Sequence, residues 1–348
     1  MFQPTKPEAL RIAPTLDKLS RPLRDLRISV TDRCNFRCGY CMPREIFGPG
    51  HQFLPRTMVL SYEEIARLAG IFALLGVVKI RLTGGEPLLR RDLETLIAKL
   101  ALIRGIDDLS LTTNGSLLDA SKARALKAAG LGRVTVSLDA LDDRTFASMS
   151  DSQLPVSRVL DAIVAAHDAG LTPVKVNMVV RRGINDSCVI PMAAHFRNTG
   201  VIVRFIEYMD VGQSNGWRLE EVVSARSIIE QLQSQWPMQP LAARYPGEVA
   251  NTWRYLDGAG EIGVIASVTQ PFCGNCNRAR LSSDGKLFTC LFAANGLDLR
   301  ALLRAGCDDG ILVEAIHSGW LQREDRYSEL RTRVSKPDSK IEMSYIGG

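Results

Sequence analysis

Histidine, aromatic residues and long apolar runs are all scarce in this chain, and each scarcity narrows the functions open to it. Only four histidines occur among 348 residues: His51, His167, His195 and His317. None stands at metal-ligand spacing from the cysteine clusters described below, so a zinc site of mixed His and Cys ligands has little to draw on. The longest apolar run, IFALLGVV from Ile71, is far shorter than the roughly 20 residues that cross a bilayer. The first twenty residues carry two early prolines and no continuous apolar core, which denies them the apolar region of a secretory signal. There is no internal repeat and no low-complexity tract. Neither sign of charge dominates: 43 Lys and Arg against 38 Asp and Glu leave a net charge of +5, which suits an anionic ligand without requiring nucleic acid. The expectation is a cytoplasmic protein with neither membrane nor nucleic acid among its partners.

Cysteine is what the chain does have, and it is clustered. Cys34, Cys38 and Cys41 lie within VTDRCNFRCGYCMP, residues 30–43, spaced C-x3-C-x2-C. Cys273 and Cys276 form CGNC, and Cys290 follows after thirteen intervening residues. In a reducing compartment such clusters point to a metal or catalytic site rather than to disulfides. Cys188 and Cys307 stand alone and read as small buried hydrophobes. A structural zinc takes four protein ligands, so a triplet would need a distant cysteine to complete it, and that reading stays open. Iron and sulfide fit three ligands better: a cubane cluster has four iron corners, and three thiolates leave one iron free to bind a molecule.

Around these clusters the sequence alternates strand and helix patterns. Six β-branched runs read as strands: LRISVTD from Leu26, VVKIRLTGG from Val77, DLSLTTNG around Leu109, RVTVSLDA from Arg133, PVKVNMVV from Pro173 and VIVRFIEYMD from Val201. Helical patterns fall between them, one headed by Ser61 and Glu64 at capping-box spacing and others starting near Asp92, Asp119, Val156 and Ser187. Repeated βα units predict an α/β fold with a parallel sheet, a partial six-unit (β/α) barrel whose ligands sit at the carboxyl ends of the strands. After about residue 215 the pattern changes to two hairpins, TWRYLDGAGEIGVIAS and RARLSSDGKLFTCL, then short helices and a polar tail. The expected division is a 1–25 extension, a 26–215 barrel core and a 216–348 α+β region that carries the second cysteine triplet.

The C-x3-C-x2-C loop with an aromatic before its last cysteine follows the first predicted strand, and GGEP at 84–87 follows the second. Together they resemble the radical S-adenosylmethionine superfamily. That resemblance implies a 4Fe-4S cluster on Cys34, Cys38 and Cys41 whose open iron is chelated by S-adenosylmethionine. It also implies cofactor contacts from Tyr40, the Gly85 backbone, Ser137 and Met209. Taken singly, each of these four reads as a surface aromatic, a turn, a strand-end hydroxyl or a core filler.

In the second triplet, Arg278 and Arg280 are two apart on a predicted strand, so both face one side. Arg27, Lys79, Arg81 and Lys175 sit in strands that are otherwise apolar, and buried charge of one sign calls for an anion, for which a triphosphate is a natural candidate. From Leu26 onward, through KIRLTGGEPLLRRDL, LTTNG, VTVSLDAL, VKVNMVV, RFIEYMDVG, FCGNCNRARLSSDGKLFTCL and the terminal IGG, the chain resembles the GTP 3′,8-cyclase family of molybdenum-cofactor biosynthesis. The resemblance implies a radical lyase that joins C3′ of GTP to C8 after loss of the C3′ hydrogen. A second 4Fe-4S cluster on Cys273, Cys276 and Cys290 would hold the guanine. GTP contacts would come from Arg27, Arg81, Thr112, Lys175, Asn277, Arg278, the Ala279 backbone and Arg280. The Gly347 and Gly348 tail would enter the site and support radical formation; read by itself the diglycine is a frayed end or a sulfur-carrier terminus, the latter excluded by the size of the chain. Expected partners are an electron donor such as flavodoxin or ferredoxin, the downstream cyclic pyranopterin monophosphate synthase, and a second copy of the chain in a homodimer. The competing readings are a peptide-modifying radical S-adenosylmethionine maturase and a non-enzymatic metal module with a basic hairpin for RNA.

Overall fold

A computed structural model of the chain describes residues 14–331 and 340–347. Six strands lie side by side in chain order and run parallel: β1 (Asp25–Ser29), β2 (Lys79–Thr83), β3 (Asp108–Thr113), β4 (Arg133–Ser137), β5 (Lys175–Val180) and β6 (Ile202–Glu207). Parallel neighbours need crossovers, which are supplied by α1 (Tyr62–Leu74), α2 (Leu93–Ala101), α3 (Ala120–Ala128), α4 (Asp143–Ser150), α5 (Val156–Asp168) and α6 (Val189–Phe196). The capping box forms as expected: Glu64 N donates to Ser61 Oγ, and Ser61 N donates to the Glu64 carboxylate at 2.7 Å. Two orphan donors at the start of α1 are thereby satisfied, and Ile65, Leu68, Ala69 and Phe72 turn one apolar stripe onto the sheet. Helix α4 was not expected. Asp142 caps it by accepting from Thr145 N, a local signal that the weakly apolar run hid.

The two faces of the sheet differ. In β5 the even residues Val176, Met178 and Val180 are buried under helices, while Lys175, Asn177 and Val179 face the other way and line a cavity. That cavity touches residues from β1 through β6, so the sheet wraps around it as a partial barrel.

Both predicted hairpins are present, with turns at Asp257–Gly258 and Asp284–Gly285. Their strands do not form a separate sheet. The C-terminal strand β9 (Glu261–Ile265) pairs parallel to β6, and is followed outward by β8 (Asn251–Tyr255) and β7 (Met238–Pro240). On the opposite edge β10 (Arg278–Leu281) pairs parallel to β1, then β11 (Lys286–Phe288) and β12 (Leu297–Asp298) follow antiparallel. The six-unit core would otherwise present two rows of unpaired peptide groups, and the C-terminal segments cover both. The remaining helices are α7 (Ala225–Gln235), α8 (Leu299–Arg304), α9 (Asp309–Leu321), α10 (Tyr327–Leu330) and α11 (Met343–Ile346). Residues 14–24, expected to be an extension, are packed: Leu23 and Arg21 are buried, and Trp320 Nε1 of α9 donates to the Arg21 carbonyl. Among the described residues no helix is long and apolar enough to cross a membrane.

Candidate active site

The first cysteine loop leaves the carboxyl end of β1 and is pinned by the loop that leaves β2. Gly85 N donates to Thr31 O and Glu86 N to Arg33 O, both at 2.8 Å. A Cβ on Gly85 would lie 2.1 Å from Arg33 O and 3.0 Å from Cys34 N, so glycine is required for this close approach. Arg37 Nη1 donates to Cys34 O at 2.7 Å, and Cys41 N to Cys38 O at 2.9 Å. Glu86 is buried and accepts from Leu88 N, Thr113 Oγ1 and Asn114 N. Burial pushes its carboxyl up to about 7. Asn114, held this way, reaches Asn35 Oδ1 at 2.9 Å.

Tyr40 donates its hydroxyl to Asp139 Oδ2 at 2.8 Å. Asp139, in the loop after β4, accepts Val179 N on its other oxygen, and its carbonyl accepts from Asn185 Nδ2. The cysteine loop is thus tied to β4 and β5 across the mouth. Burial raises the Asp139 carboxyl to about 6. Ser137 and Met209 line the cavity beside Tyr40.

The second triplet is at the opposite end of the strands. The register places Arg278 beside Asp25, the first residue of β1, and both Arg24 N and Asp25 N donate to Asn277 O. Cys273 and Cys276 therefore precede the amino ends. The expectation that every ligand sits at carboxyl ends is corrected here: the parallel pairing of β10 with β1 carries CGNC to the other rim. Burial pushes the Cys276 thiol up, but Arg278, which contacts Cys276 Sγ at 3.3 Å, and Arg323 pull it down to about 6. Cys290 is pushed up to about 12 by burial and Asp325.

Between the two rims lies a cavity of about 260 Å³. Tyr40, Ser137 and Met209 line one part of it, and Cys273, Cys276 and Cys290 another. Its walls are cationic. Arg280, Arg27 and Arg81 share one register row across β10, β1 and β2, and Lys175 and Arg204 add to them from β5 and β6. Burial first, then neighbouring arginines, lowers Lys175 to about 7 and Arg204 to about 9. Burial and the adjacent Arg280 and Arg81 hold Arg27 well below its usual value. Asp25, despite burial, is held at about 2 by Lys79 and by Arg27 and Arg81. Ten Lys and Arg residues line the cavity against five Asp and Glu, so its carboxylates do not neutralise this set. Arg27 Nε, Arg81 Nε, Arg204 Nε, Thr112 Oγ1 and Asn177 Oδ1 are buried without a hydrogen-bond partner, and each such group costs about 1–3 kcal/mol. A bound polyanion would satisfy the three guanidinium N–H groups and the Thr112 hydroxyl, while the Asn177 amide oxygen calls for a donor such as a ligand hydroxyl or amine.

The cysteine triplets also fit the groups they are expected to hold. Burial, then Asp139 and the other two thiols of the loop, pushes Cys38 well above its usual value, and burial and Cys34 do the same to Cys41. Three half-buried thiols that oppose one another's ionisation become ligands when a cationic centre offsets their charge. Among the described residues no three His, Cys, Asp or Glu side chains converge on a single-ion site.

Of the residues singled out from the sequence, Arg27, Tyr40, Arg81, Thr112, Ser137, Lys175, Met209, Arg278, Arg280 and the second triplet all reach the cavity. Asn277 and Ala279 point elsewhere: Asn277 Nδ2 donates to Pro246 O, and Ala279 is fully buried beside Leu26 on the other face of β10. Gly85 packs on the Arg33 backbone rather than on the cavity wall. Gly347 reaches β2, where a Cβ would meet Thr83 Cγ2 at 2.2 Å, and its carbonyl accepts from Arg280 Nη1. Gly348 lies outside the described residues. Arg204, Asn177, Asp139 and Glu86 were not singled out, although Arg204 carried the same signal as Lys175, a cation inside an apolar strand.

Comparison with known proteins bears on the same regions. Residues 28–196 match the Radical SAM superfamily, and residues 201–329 match Molybdenum Cofactor Synthesis C. The chain is 56% identical to the GTP 3′,8-cyclase of Acidothermus cellulolyticus, over 96% of this chain and 99% of that one. It is 49% identical to the GTP 3′,8-cyclases of Xanthomonas axonopodis pv. citri and Staphylococcus aureus, over 97% and 95% of its length and 99% and 98% of theirs. Among solved structures, SuiB of Streptococcus suis bound to S-adenosylmethionine matches in fold, with a TM-score of 0.60 at 16% identity, over 86% of this chain and 68% of SuiB.

Proposed function

The chain belongs to the GTP 3′,8-cyclase family of radical S-adenosylmethionine enzymes, and from that membership we propose that it converts GTP to 3′,8-cyclo-7,8-dihydro-GTP, the first step of molybdenum-cofactor biosynthesis. When bound, S-adenosylmethionine on a 4Fe-4S cluster supplies a 5′-deoxyadenosyl radical, the chemistry that removes the C3′ hydrogen and lets C3′ join C8. The observation that carries this reading is one cation-lined cavity with Tyr40 of the first cysteine loop in its wall and with Cys273, Cys276 and Cys290 lining it beside the amino end of β1.

In this reading Cys34, Cys38 and Cys41 bind the radical-forming cluster. Tyr40, the Gly85 backbone, Ser137 and Met209 surround S-adenosylmethionine. Cys273, Cys276 and Cys290 bind the second cluster, which anchors the guanine. Arg27, Arg81, Thr112, Lys175, Arg278 and Arg280 neutralise and orient the triphosphate and ribose, with Asn277 and the Ala279 backbone behind them. Holding both reactants in one closed space turns a bimolecular encounter into an intramolecular one. Gly347 closes the site near Arg280, where a side chain would leave no room, and the Gly347–Gly348 tail supports radical formation. Residues 26–215 act as the radical-generating core and 216–348 as the substrate-anchoring region, with 1–25 as an extension. An electron donor such as flavodoxin or ferredoxin, transient transfer of product to cyclic pyranopterin monophosphate synthase, a homodimer and a cytoplasmic location complete the proposal.

The test is anaerobic turnover with S-adenosylmethionine and reductant, offering GTP or a mixture of peptides. The expected result is 5′-deoxyadenosine formed together with a cyclised guanine nucleotide only when GTP is present. Stimulation by peptide instead of GTP would reassign the chain to a peptide-modifying maturase.

A further inference from the structure

We propose that Asp17, Arg21 and Arg323 form a positioning network that holds the second cysteine triplet ready for its cluster and sets the local field; this rests on the cluster reading above. None of the three belongs to either cysteine motif, and two come from the segment that the sequence left as an extension. All are almost wholly out of water: the Arg21 and Arg323 side chains are 2% and 1% exposed and that of Asp17 is 0% exposed. Asp17 Oδ2 accepts from Arg21 Nε at 2.6 Å and from Arg323 Nη1 at 3.1 Å. Buried ions are costly to keep, so where their remaining donors go is informative.

They go to the cysteine backbone. Arg21 Nη1 donates to Cys273 O at 2.8 Å and also to Asp325 O. Arg323 Nη1 donates to Cys276 O at 2.7 Å, and Arg323 Nε to Thr289 O, the residue before Cys290, at 3.0 Å. Each of the three cysteines is therefore gripped at its own carbonyl or the one before it. The cysteines themselves lie in a three-residue turn and in irregular chain, which lack the ladder bonds that would fix them otherwise. A planar guanidinium holds a carboxylate and two separate carbonyls in fixed directions, a geometry that the compact ammonium of a lysine on its flexible stem does not reproduce. Arg323 is further fixed against the Trp320 ring at 4.5 Å. Arg323 Nε also lies 3.4 Å from Asp325 Oδ2, so two guanidiniums face two carboxylates beside the three thiolates, and the charge and hydrogen bonds around a cluster tune its reduction potential.

A plain structural staple between the N-terminal segment and α9 would stabilise the whole chain without discriminating between clusters. The two are separated with the full chain, reconstituted anaerobically with iron and sulfide. Wild-type protein is expected to hold about eight irons. Arg323→Lys should hold about four, lose the signal of the second cluster, and still cleave S-adenosylmethionine at the first. A full iron complement with an unchanged electron paramagnetic resonance spectrum in Arg323→Lys would overturn the proposal. Asp17→Asn, which keeps the side-chain shape, provides the second arm: removal of one negative charge should raise the reduction potential of the second cluster, and an unchanged potential would overturn the field-setting role even if Arg323→Lys failed to fold. Wild-type protein with only about four irons would sink the cluster reading itself, and this proposal with it.

Discussion

Replacing Gly85 with alanine should disable the first cysteine loop while leaving the second intact. The new Cβ would stand 2.1 Å from Arg33 O and 2.5 Å from Arg33 C, well inside the 3.0 Å floor for such contacts, and the opposing atoms are backbone that cannot rotate away. The loop must retreat by about 1 Å. Overpacking of this kind costs about 1–3 kcal/mol. The hydrogen bonds Gly85 N to Thr31 O and Glu86 N to Arg33 O cross the same gap, and weakening both adds about 1 kcal/mol each. The total, about 3–5 kcal/mol, is a large part of an ordinary folding margin of about 5–15 kcal/mol. Because Cys34 follows Arg33 directly, the shift is delivered to a cluster ligand, and a misplacement of about 1 Å can cost about 100-fold in rate. The assay is 5′-deoxyadenosine formation in the anaerobically reconstituted protein, with iron content measured alongside. Gly39→Ala in the same loop is the control, since a Cβ there meets nothing within 4 Å, and it should behave as wild type. Gly85→Ala with unaltered iron content and undiminished S-adenosylmethionine cleavage would refute the steric argument.

Gly347→Ala places a Cβ 2.2 Å from Thr83 Cγ2 at a φ of +79°, a conformation that costs a non-glycine residue about 1–3 kcal/mol. Product formation should fall, and Thr83→Ser, which removes that methyl, should recover part of it; no recovery would dissociate the tail from β2. Lys175 is lowered to about 7 by burial and its cationic neighbours, and a bound triphosphate would raise it again. GTP affinity should therefore be fully developed below pH 7 and weaken as pH rises above it, with proton uptake on binding seen by calorimetry in buffers of different ionisation heat; Lys175→Gln should flatten the profile, and persistence of the slope would exclude Lys175 as its source. Arg204→Met should weaken GTP binding by about 10- to 100-fold, the worth of one charged hydrogen bond, yet leave the thermal midpoint of the free protein unchanged or raised, because it removes one of several crowded buried cations. A fall in both would indicate a structural role instead.

Local chemistry was readable from the sequence, and long-range pairing was not. The cysteine spacings, the Ser61–Glu64 box and the six strands follow from nearest-neighbour patterns, and all form where expected. Period two on β10 already implied that Arg278 and Arg280 face one side, so the turned-away Ala279 side chain is consistent with the reading that put both arginines in the site. The end of the barrel taken by CGNC could not be read, because nothing in RARL states that it will pair parallel to β1 rather than stay in its hairpin. The same is true of Arg21 and Arg323, which lie 302 positions apart in the chain and meet only because α9 packs against residues 14–24. Asp139 as partner of Tyr40 was hidden for the same reason: SLDA reads as the end of the fourth strand, and nothing in it states that the cysteine loop will reach it.

The central claim is that each cysteine triplet supplies three thiolates to a cluster and leaves one iron for a small molecule. It is tested most directly by anaerobic iron and sulfide analysis with electron paramagnetic resonance recorded before and after GTP. The account predicts about eight irons and eight sulfides per chain, with GTP altering only the signal that disappears when Cys273, Cys276 and Cys290 are replaced. Zinc in either triplet, or a spectrum indifferent to GTP, would contradict it.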